Sequence, residues 1–221
     1  MTWQKFEQRF SIQLNEQQKQ AVQTVEGPVL LLAVPGSGKT TVLVTRLGYM
    51  IHCKGIDPRR ILTVTYTVAA TKDMAARFAA KFGPELAEQL EFRTINGICA
   101  KVLQYYGYRT GKTPHQLLND EKRITGILAE IYQRVERVYP TDGDLKNIRT
   151  LITYIKNMML NEDEIEALNE EAECKISVIY REYCSKLKEL QMIDYDDQMV
   201  YAYVMLKKIP WLLAYFQELY P

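Results

Sequence analysis

The sequence predicts an α/β fold, a parallel sheet with flanking helices that is interrupted by a smaller, entirely helical subdomain. Strand-like and helical segments alternate up to about residue 108, which is typical of a parallel α/β unit. From about residue 110 the apolar residues recur with the helical period instead. We therefore expect residues 1–112 and 191–221 to form the α/β domain and residues 113–190 the helical insertion.

Composition limits the class of protein. The chain has 221 residues, of which 47% are apolar and 25% charged, as in soluble globular proteins. A net charge of +1 means that any nucleic-acid site would have to be local. Four cysteines without C-x-x-C spacing and two histidines do not indicate a metal cluster or a disulfide framework. Without a signal peptide or membrane span, we expect a cytoplasmic protein with no membrane partner.

Residues 29–41, VLLLAVPGSGKTT, carry the most specific chemical signal. The apolar run at residues 29–34 predicts a strand that is buried on both faces of a parallel sheet. A turn with Gly36 and Gly38 follows, and then a helix that would place Val42, Leu43, Leu47 and Ile51 inward. This is the strand–loop–helix context that a phosphate-binding loop requires.

The residue types in this loop suit a nucleoside triphosphate. Gly36 and Gly38 allow successive backbone N–H groups to point at a phosphate, and the following helix adds its positive N-terminus. Lys39 would reach the β- and γ-phosphates, and the Thr40 hydroxyl would ligate Mg²⁺. Ala33 replaces the first glycine of the usual pattern. The alternative is an ordinary strand–turn–helix junction that happens to contain GSGKT.

The remaining segments predict further elements in order. Asn15 can cap a helix over residues 16–25, residues 61–66 and 91–94 favour strands, and residues 69–82 and 95–105 favour helices. Further on, helices are predicted at 120–138, 144–159 and 161–190. The first of these helices would place Val138 in the core, and the apolar residues of the last helix form one unbroken stripe. Asp194 would cap a final helix that runs through Leu206.

The order of these motifs resembles the N-terminal part of the UvrD/Rep/PcrA-like superfamily 1 DNA helicases, from about Leu14 onward. LNEQQKQAV matches the glutamine motif of that family, which implies that Gln18 contacts adenine; alone, Gln18 would be a solvated helix residue. AVPGSGKTT resembles the family loop, in which alanine at the first position is normal. The resemblance implies ATP and Mg²⁺ as cofactors, with loop contacts from Ala33, Val34, Pro35, Gly36, Ser37, Gly38, Lys39, Thr40 and Thr41.

The resemblance also implies contacts with DNA. ILTVTYTVAATKDM is similar to a motif in which the aromatic residue, here Tyr66, lies against bases while Thr65 and Thr67 contact the backbone. The alternative for Tyr66 is an aromatic residue that covers a strand end. TINGI aligns with a second DNA-contacting motif but departs from its T-F-H-S pattern at three positions. There, Thr94 and Asn96 could still bond phosphate oxygens.

The family has a RecA-like domain with a helical insertion that contacts duplex DNA, and residues 115–190 are similar to that insertion. Residues 194–197, DYDD, resemble the D-F-D-D segment where the chain re-enters the first domain. The partners implied are single-stranded and duplex DNA, and the role is of the DNA-repair type.

In the family, a strand ending in Asp-Glu follows, whereas this sequence ends at YFQELYP. We therefore expect part of a longer helicase that binds nucleotide weakly without turnover and has an unpaired sheet edge, which favours self-association. Residues 194–197 are poor substitutes for the Asp-Glu pair, because no apolar strand precedes them. The alternatives are a catalytically dead nucleotide- or DNA-binding module and a P-loop ATPase unrelated to helicases.

Overall fold

The computed structural model describes residues 1–34 and 36–221. They form two compact units, residues 1–98 with 214–221 and residues 99–213, which we call the loop unit and the helical unit. The described chain is mostly helical with small parallel sheets, consistent with an α/β fold. The predicted domain division at residues 112 and 191 stays a prediction.

The elements follow one another in a simple order. The first part of the chain contains α1 (Trp3–Arg9), α2 (Glu16–Gln23), α3 (Lys39–His52), β1 (Leu62–Thr65), α4 (Val68–Phe82), α5 (Pro84–Ala87), β2 (Glu91–Thr94) and α6 (Ile95–Thr110). The remainder contains β3 (Gln116–Leu117), α7 (Glu121–Glu136), α8 (Asp142–Met158), α9 (Glu162–Ala172), α10 (Ile176–Glu189), β4 (Met192–Ile193), α11 (Tyr195–Lys208) and α12 (Pro210–Leu219). Among the described helices, none has both the length and the apolar character needed to cross a membrane.

The strands predicted around residues 61–66 and 91–94 are confirmed. β1 and β2 pair in parallel, with Thr65 at the end of β1 opposite Thr94 at the end of β2. β1 is not buried on both faces, because Val64 is 42% exposed. A second parallel pair, β3 with β4, was not predicted, since each strand has only two residues.

The predicted buried strand at residues 29–34 is wrong. These residues form no strand, and Leu30, Leu32 and Val34 are 82%, 83% and 71% exposed. A strand persists only when a neighbour satisfies its backbone N–H and C=O groups. In the described part of the chain β1 pairs with β2, and no strand pairs with residues 29–34.

The core of the loop unit lies between α3, α4 and β2. It is built from Val44, Leu47, Ile61, Met74, Phe78 and Leu90. The predicted inward position of Leu43 is wrong, because this side chain is 43% exposed and Val44 is buried instead. Consecutive side chains of an α-helix point about 100° apart, so Val44 can face the core while its neighbour Leu43 faces away from it.

The helical unit has its own core between α7, α8, α9 and α10. The predicted apolar stripe lies in this core, but the single helix predicted over residues 161–190 is wrong. α9 ends at Ala172, the following residue Glu173 has a left-handed φ of 53°, and α10 begins at Ile176. The inward position of Val138 is also wrong, because α7 ends at Glu136 and Val138 is 55% exposed.

Candidate nucleotide site and strand-end residues

The glycine-containing loop curls in front of α3 as its sequence predicts. Gly36 and Gly38 have φ values of 81° and 82°, which L-residues with side chains rarely adopt. Ser37 closes the loop, because its backbone N–H and its hydroxyl both donate to the Val34 carbonyl, at 3.2 and 2.7 Å. Pro35, which was predicted to belong to the site, lies outside the described residues.

Lys39 is the first residue of α3, and its side chain folds back over the loop. Its ammonium group donates to the Ala33 carbonyl at 3.0 Å and to the Val34 carbonyl at 2.9 Å. The side chain is exposed, so these two bonds hold a solvent-accessible cation above the loop. Such a cation can exchange neutral carbonyls for the more strongly bonding oxygens of an anion.

Gln18 links α2 to the same loop. Its backbone N–H donates to Asn15 Oδ1 at 2.9 Å, and its Oε1 accepts from the Asn15 N–H at 3.1 Å, which completes a capping box. Its Nε2 donates to the Ser37 carbonyl at 3.0 Å. A side-chain amide has two N–H donors and two acceptor lone pairs. One donor and one acceptor therefore stay available to a ligand such as adenine.

A cleft of about 290 Å³ brings several predicted residues together. Its lining includes Gln18, Ala33, Val34, Ser37 and Lys39. Asn15, Gln17, Leu31, Leu32 and Val42 complete the lining. Gly36, Gly38, Thr40 and Thr41 belong to the adjoining loop and the first turn of α3 without lining the cleft.

Arg46 positions this site but was not predicted. Its guanidinium group donates to the Ala21 and Thr24 carbonyls at the end of α2, which ties the helix of Gln18 to the helix of Lys39. Burial lowers the pKa of Arg46. The only signal in the sequence is an arginine within an otherwise largely apolar helix.

The predicted DNA-contacting residues lie at the ends of β1 and β2. Tyr66 directly follows β1 and is 89% exposed, so its ring is accessible to a ligand. Thr65 and Thr94 are register partners, which places both at the carboxyl edge of this parallel pair. Ligands of open α/β sheets bind at that edge. Asn96 is half-buried in the first turn of α6.

The threonines at these strand ends also have structural roles. Thr67 caps α4 by accepting from the Ala70 N–H at 3.1 Å, and Thr94 accepts from the Gly97 N–H at 3.0 Å. The Thr65 hydroxyl donates to the Thr67 carbonyl at 3.1 Å. Contact of these hydroxyls with DNA therefore stays a prediction.

The acids at residues 194–197 are engaged within the helical unit. The Lys156 ammonium lies 2.7 Å from Asp194 Oδ2 and 2.8 Å from Asp197 Oδ1. Asp196 accepts from Thr153 and Asn157, both at 2.8 Å. Across residues 1–34 and 36–221, no three His, Cys, Asp or Glu side chains converge as candidate metal ligands.

The chain is similar to known DNA helicases over most of its length. Residues 14–221 match the family model for the UvrD/REP helicase N-terminal domain. The ATP-dependent DNA helicase PcrA of Leuconostoc citreum is 28% identical over 209 residues, which are 93% of this chain and 27% of the relative. PcrA of Bacillus subtilis is 28% identical over 207 residues, 93% of this chain and 28% of the relative.

A third relative is somewhat more similar in sequence. The Bacillus subtilis protein YjcD, which carries the name of an ATP-dependent DNA helicase, is 31% identical over 212 residues. The match covers 94% of this chain and 27% of YjcD. The chain thus spans about a quarter of the length of these curated relatives.

Proposed function

Because the chain belongs to the UvrD/REP helicase family, matching its N-terminal domain over residues 14–221, we propose that it is the ATP- and DNA-binding part of an ATP-dependent DNA helicase. In the whole protein, ATP hydrolysis would be coupled to translocation along single-stranded DNA. The observation that carries this proposal is the position of Lys39 over the loop, beside the cleft that Gln18 also lines.

The nucleotide would bind along this cleft. The Lys39 ammonium would leave the Ala33 and Val34 carbonyls for the phosphates, where a charge-assisted bond is stronger. The free donor and acceptor of the Gln18 amide match N6 and N7 of adenine. The existing bond from Gln18 to the Ser37 carbonyl would hold the amide, and with it the adenine, at a fixed position relative to the loop.

Magnesium suits the residue types at the start of α3. Mg²⁺ takes oxygen ligands, keeps several waters and binds substrate phosphates together with few protein groups. Thr40, in the first turn of α3, offers such an oxygen. When bound, the ion would neutralise phosphate charge.

Turnover needs a group that orients the attacking water, and residues 194–197 are poorly suited to this role. Asp194 and Asp197 are paired with Lys156, and Asp196 accepts two hydrogen bonds. We therefore propose that the 221-residue chain binds nucleotide without hydrolysing it. A nucleotide- or DNA-binding module without catalysis is the second candidate, and the same engagement of the acids favours it.

DNA would bind at the strand ends. The exposed ring of Tyr66 could stack on a base, which contributes about 1–3 kcal/mol per base without sequence preference. Thr65, Thr67, Thr94 and Asn96 would approach the sugar–phosphate backbone, and such contacts position a strand without reading its sequence.

Calorimetric titration with Mg-ATP tests the nucleotide site. We expect Lys39→Ala to weaken binding at least about tenfold, because a charge-assisted phosphate contact is lost. Lys5→Ala, which removes an exposed cation from α1, is the control and should bind as the unmodified chain does. Equal affinity of the unmodified chain and the Lys39→Ala variant would refute the site. Steady ATP hydrolysis that Lys39→Ala abolishes would refute the absence of turnover.

A further inference from the structure

The helical unit has a surface of aromatic rings and cations that the proposed sites do not use. It consists of Tyr105, Tyr106, Arg109, Lys112 and Trp211, and we call it the cation–aromatic surface. The Trp211 ring stacks on Tyr106 with centroids 6.0 Å apart and planes 12° apart. Trp211 is nevertheless 42% exposed, so part of the ring stays accessible.

The two cations lie against these rings. The Arg109 guanidinium carbon is 5.8 Å from the Tyr105 centroid and 5.7 Å from the Trp211 centroid, and its Nη1 donates to the Tyr105 hydroxyl at 2.9 Å. The Lys112 ammonium is 5.9 Å from the Tyr106 centroid. Both cationic side chains are exposed. Contacts of this kind orient a cation without neutralising its charge.

No carboxylate balances these charges within the described residues. Arg109 and Lys112 form no ion pair there, whereas Arg134, Arg149 and Arg181 of the same unit each pair with a glutamate. The sequence explains the difference. Residues 92–119 and 198–217, which include the whole surface, contain no aspartate or glutamate, although the chain has 27. A local positive potential results, despite the net charge of +1.

Backbone geometry fixes Lys112 beside the rings. The Lys112 N–H donates to the Gly107 carbonyl at 3.1 Å, so the segment after α6 folds back on the helix. A Cβ at Gly107 would lie 2.6 Å from the Lys112 carbonyl oxygen and 2.9 Å from Pro114 Cγ. Only glycine permits this close approach, so the position of Lys112 beside the rings depends on Gly107.

We propose that the cation–aromatic surface binds single-stranded DNA, with a base stacked on the exposed part of Trp211 and neighbouring phosphates held by Arg109 and Lys112. Accessible rings next to unpaired cations are the chemistry of single-strand binding. In duplex DNA the faces of the bases are stacked on one another, so a duplex would interact only with the charges of Arg109 and Lys112. The choice of DNA rests on the proposed function, but these residues differ from the strand-end residues around Tyr66.

Tryptophan fluorescence can test this surface directly, because Trp3 and Trp211 are the only tryptophans in the sequence. Trp3→Phe leaves Trp211 as the single reporter. The Trp3 Nε1 is buried without a hydrogen-bond partner among the described residues, so this substitution removes no hydrogen bond. Titration with an oligothymidylate of about 15 nucleotides should quench Trp211, since a stacked base contacts the indole ring.

Affinity for the same oligonucleotide gives a second measurement that does not need the Trp3→Phe variant. Anisotropy of a labelled strand should show about tenfold or greater weakening for Arg109→Ala combined with Lys112→Ala, and a shallower dependence on salt. Lys146→Ala combined with Lys188→Ala removes two exposed cations elsewhere in the unit and should have a much smaller effect. A blunt duplex should bind more weakly than the single strand.

The outcomes separate this inference from the proposed function. DNA binding that Tyr66→Ala abolishes, with unchanged Trp211 fluorescence and no effect of the Arg109 and Lys112 substitutions, would overturn the surface and leave the strand-end site intact. Equal affinity for duplex and single strand would overturn base stacking. No binding of either DNA would overturn the surface and the DNA-binding half of the proposed function. Loss of Mg-ATP binding in Lys39→Ala would then still support the nucleotide site.

Discussion

At the scale of single residues, Lys156 places a charge inside the helical unit. Its side chain is 2% exposed and lies between the carboxylates of Asp194 and Asp197, and Tyr183 donates to Asp194 at 3.1 Å. Burial lowers the pKa of Lys156, but the charges and hydrogen bonds of the two carboxylates outweigh burial and raise the pKa overall. Lys156 therefore stays charged and joins α8 to the start of α11.

Lys156→Met should destabilise the helical unit strongly. The substitution keeps the length of the side chain but leaves two carboxylates buried without a cation, a situation that costs about 3–5 kcal/mol. Burial raises the pKa of Asp197 even with Lys156 in place, so without Lys156 the ionised form of this carboxyl would be less favourable still. Urea unfolding of the Trp3→Phe chain, followed by Trp211 fluorescence, measures the free energy of unfolding of this unit.

Two further variants decide whether charge is the cause. Lys146→Met changes an exposed lysine on the same helix and should alter stability by less than about 0.5 kcal/mol. Asp197→Asn, added to Lys156→Met, removes one unpaired charge and should recover part of the loss. If Lys156→Met is no more harmful than Lys146→Met, the ion cluster does not stabilise the unit.

The residues with local signals were predictable, and their distant partners were not. Asn15 and Asp194 were predicted as helix caps from their positions before helical patterns, and both caps are confirmed. Lys156 lies 38 residues before Asp194, and no spacing rule links such a pair. The loop around Lys39 was likewise predicted from its motif, whereas the Gln18–Ser37 and Arg46–Ala21 bonds depend on how α2 and α3 pack.

At the scale of elements, α3 and α4 approach closely at Gly48. A Cβ at Gly48 would lie 2.2 Å from Phe82 Cζ, well inside contact distance. The Phe82 ring cannot move away freely, because it stacks on Phe6 at 5.9 Å and contacts Phe78 at 5.0 Å. The packing of α3 against α4 therefore requires a residue without a side chain at position 48.

Gly48→Ala should destabilise the loop unit even though alanine favours helices. Overpacking a core typically costs about 1–3 kcal/mol, which exceeds the gain of about 0.5–1 kcal/mol in helix propensity. Trp3 packs on Tyr49 of α3 with centroids 5.6 Å apart and reports on this unit. Urea unfolding of a Trp211→Phe chain, followed by Trp3 fluorescence, should show a lower midpoint for Gly48→Ala.

Gly126→Ala provides the matched control on α7. No atom lies within 4 Å of a Cβ at this position, so only the gain in helix propensity remains. We expect stabilisation of the helical unit by about 0.5–1 kcal/mol, measured by Trp211 fluorescence in the Trp3→Phe chain. An equal rise in stability for Gly48→Ala would show that Phe82 does not restrict this position.

Elements were predictable where local pattern and tertiary pairing agree. β1 was predicted from β-branched and aromatic residues and β2 as a short strand before a helix, and the two strands form because they pair with each other. Residues 29–34 have a more continuous apolar pattern but lack a strand partner in the described chain. The break between α9 and α10 escaped prediction because the apolar stripe continues across Glu173 without a change of period.

At the scale of the whole molecule, residues 29–34 leave apolar surface exposed. Leu30, Leu32 and Val34 are 82%, 83% and 71% exposed. The six residues carry no charge and contain no proline, which is the signature of segments that pair with other chains. Large apolar side chains that are exposed close together favour association between proteins.

We therefore expect the 221-residue chain to self-associate through this segment. Sedimentation velocity over a range of protein concentrations should show the sedimentation coefficient rising with concentration. Leu30→Lys combined with Leu32→Lys should keep the chain monomeric, because lysines in an exposed apolar segment oppose its pairing with another chain. The nucleotide cleft need not survive these substitutions, since the measurement concerns association alone.

Val138→Lys combined with Tyr139→Lys is the control for added charge and lost apolar surface. These side chains are 55% and 80% exposed and belong to the helical unit. If association depends on residues 29–34, this variant should associate like the unmodified chain. Equal suppression by both double variants would mean that net charge, not the exposed segment, governs association. A monomeric unmodified chain at every concentration would show that these exposed residues do not pair between molecules.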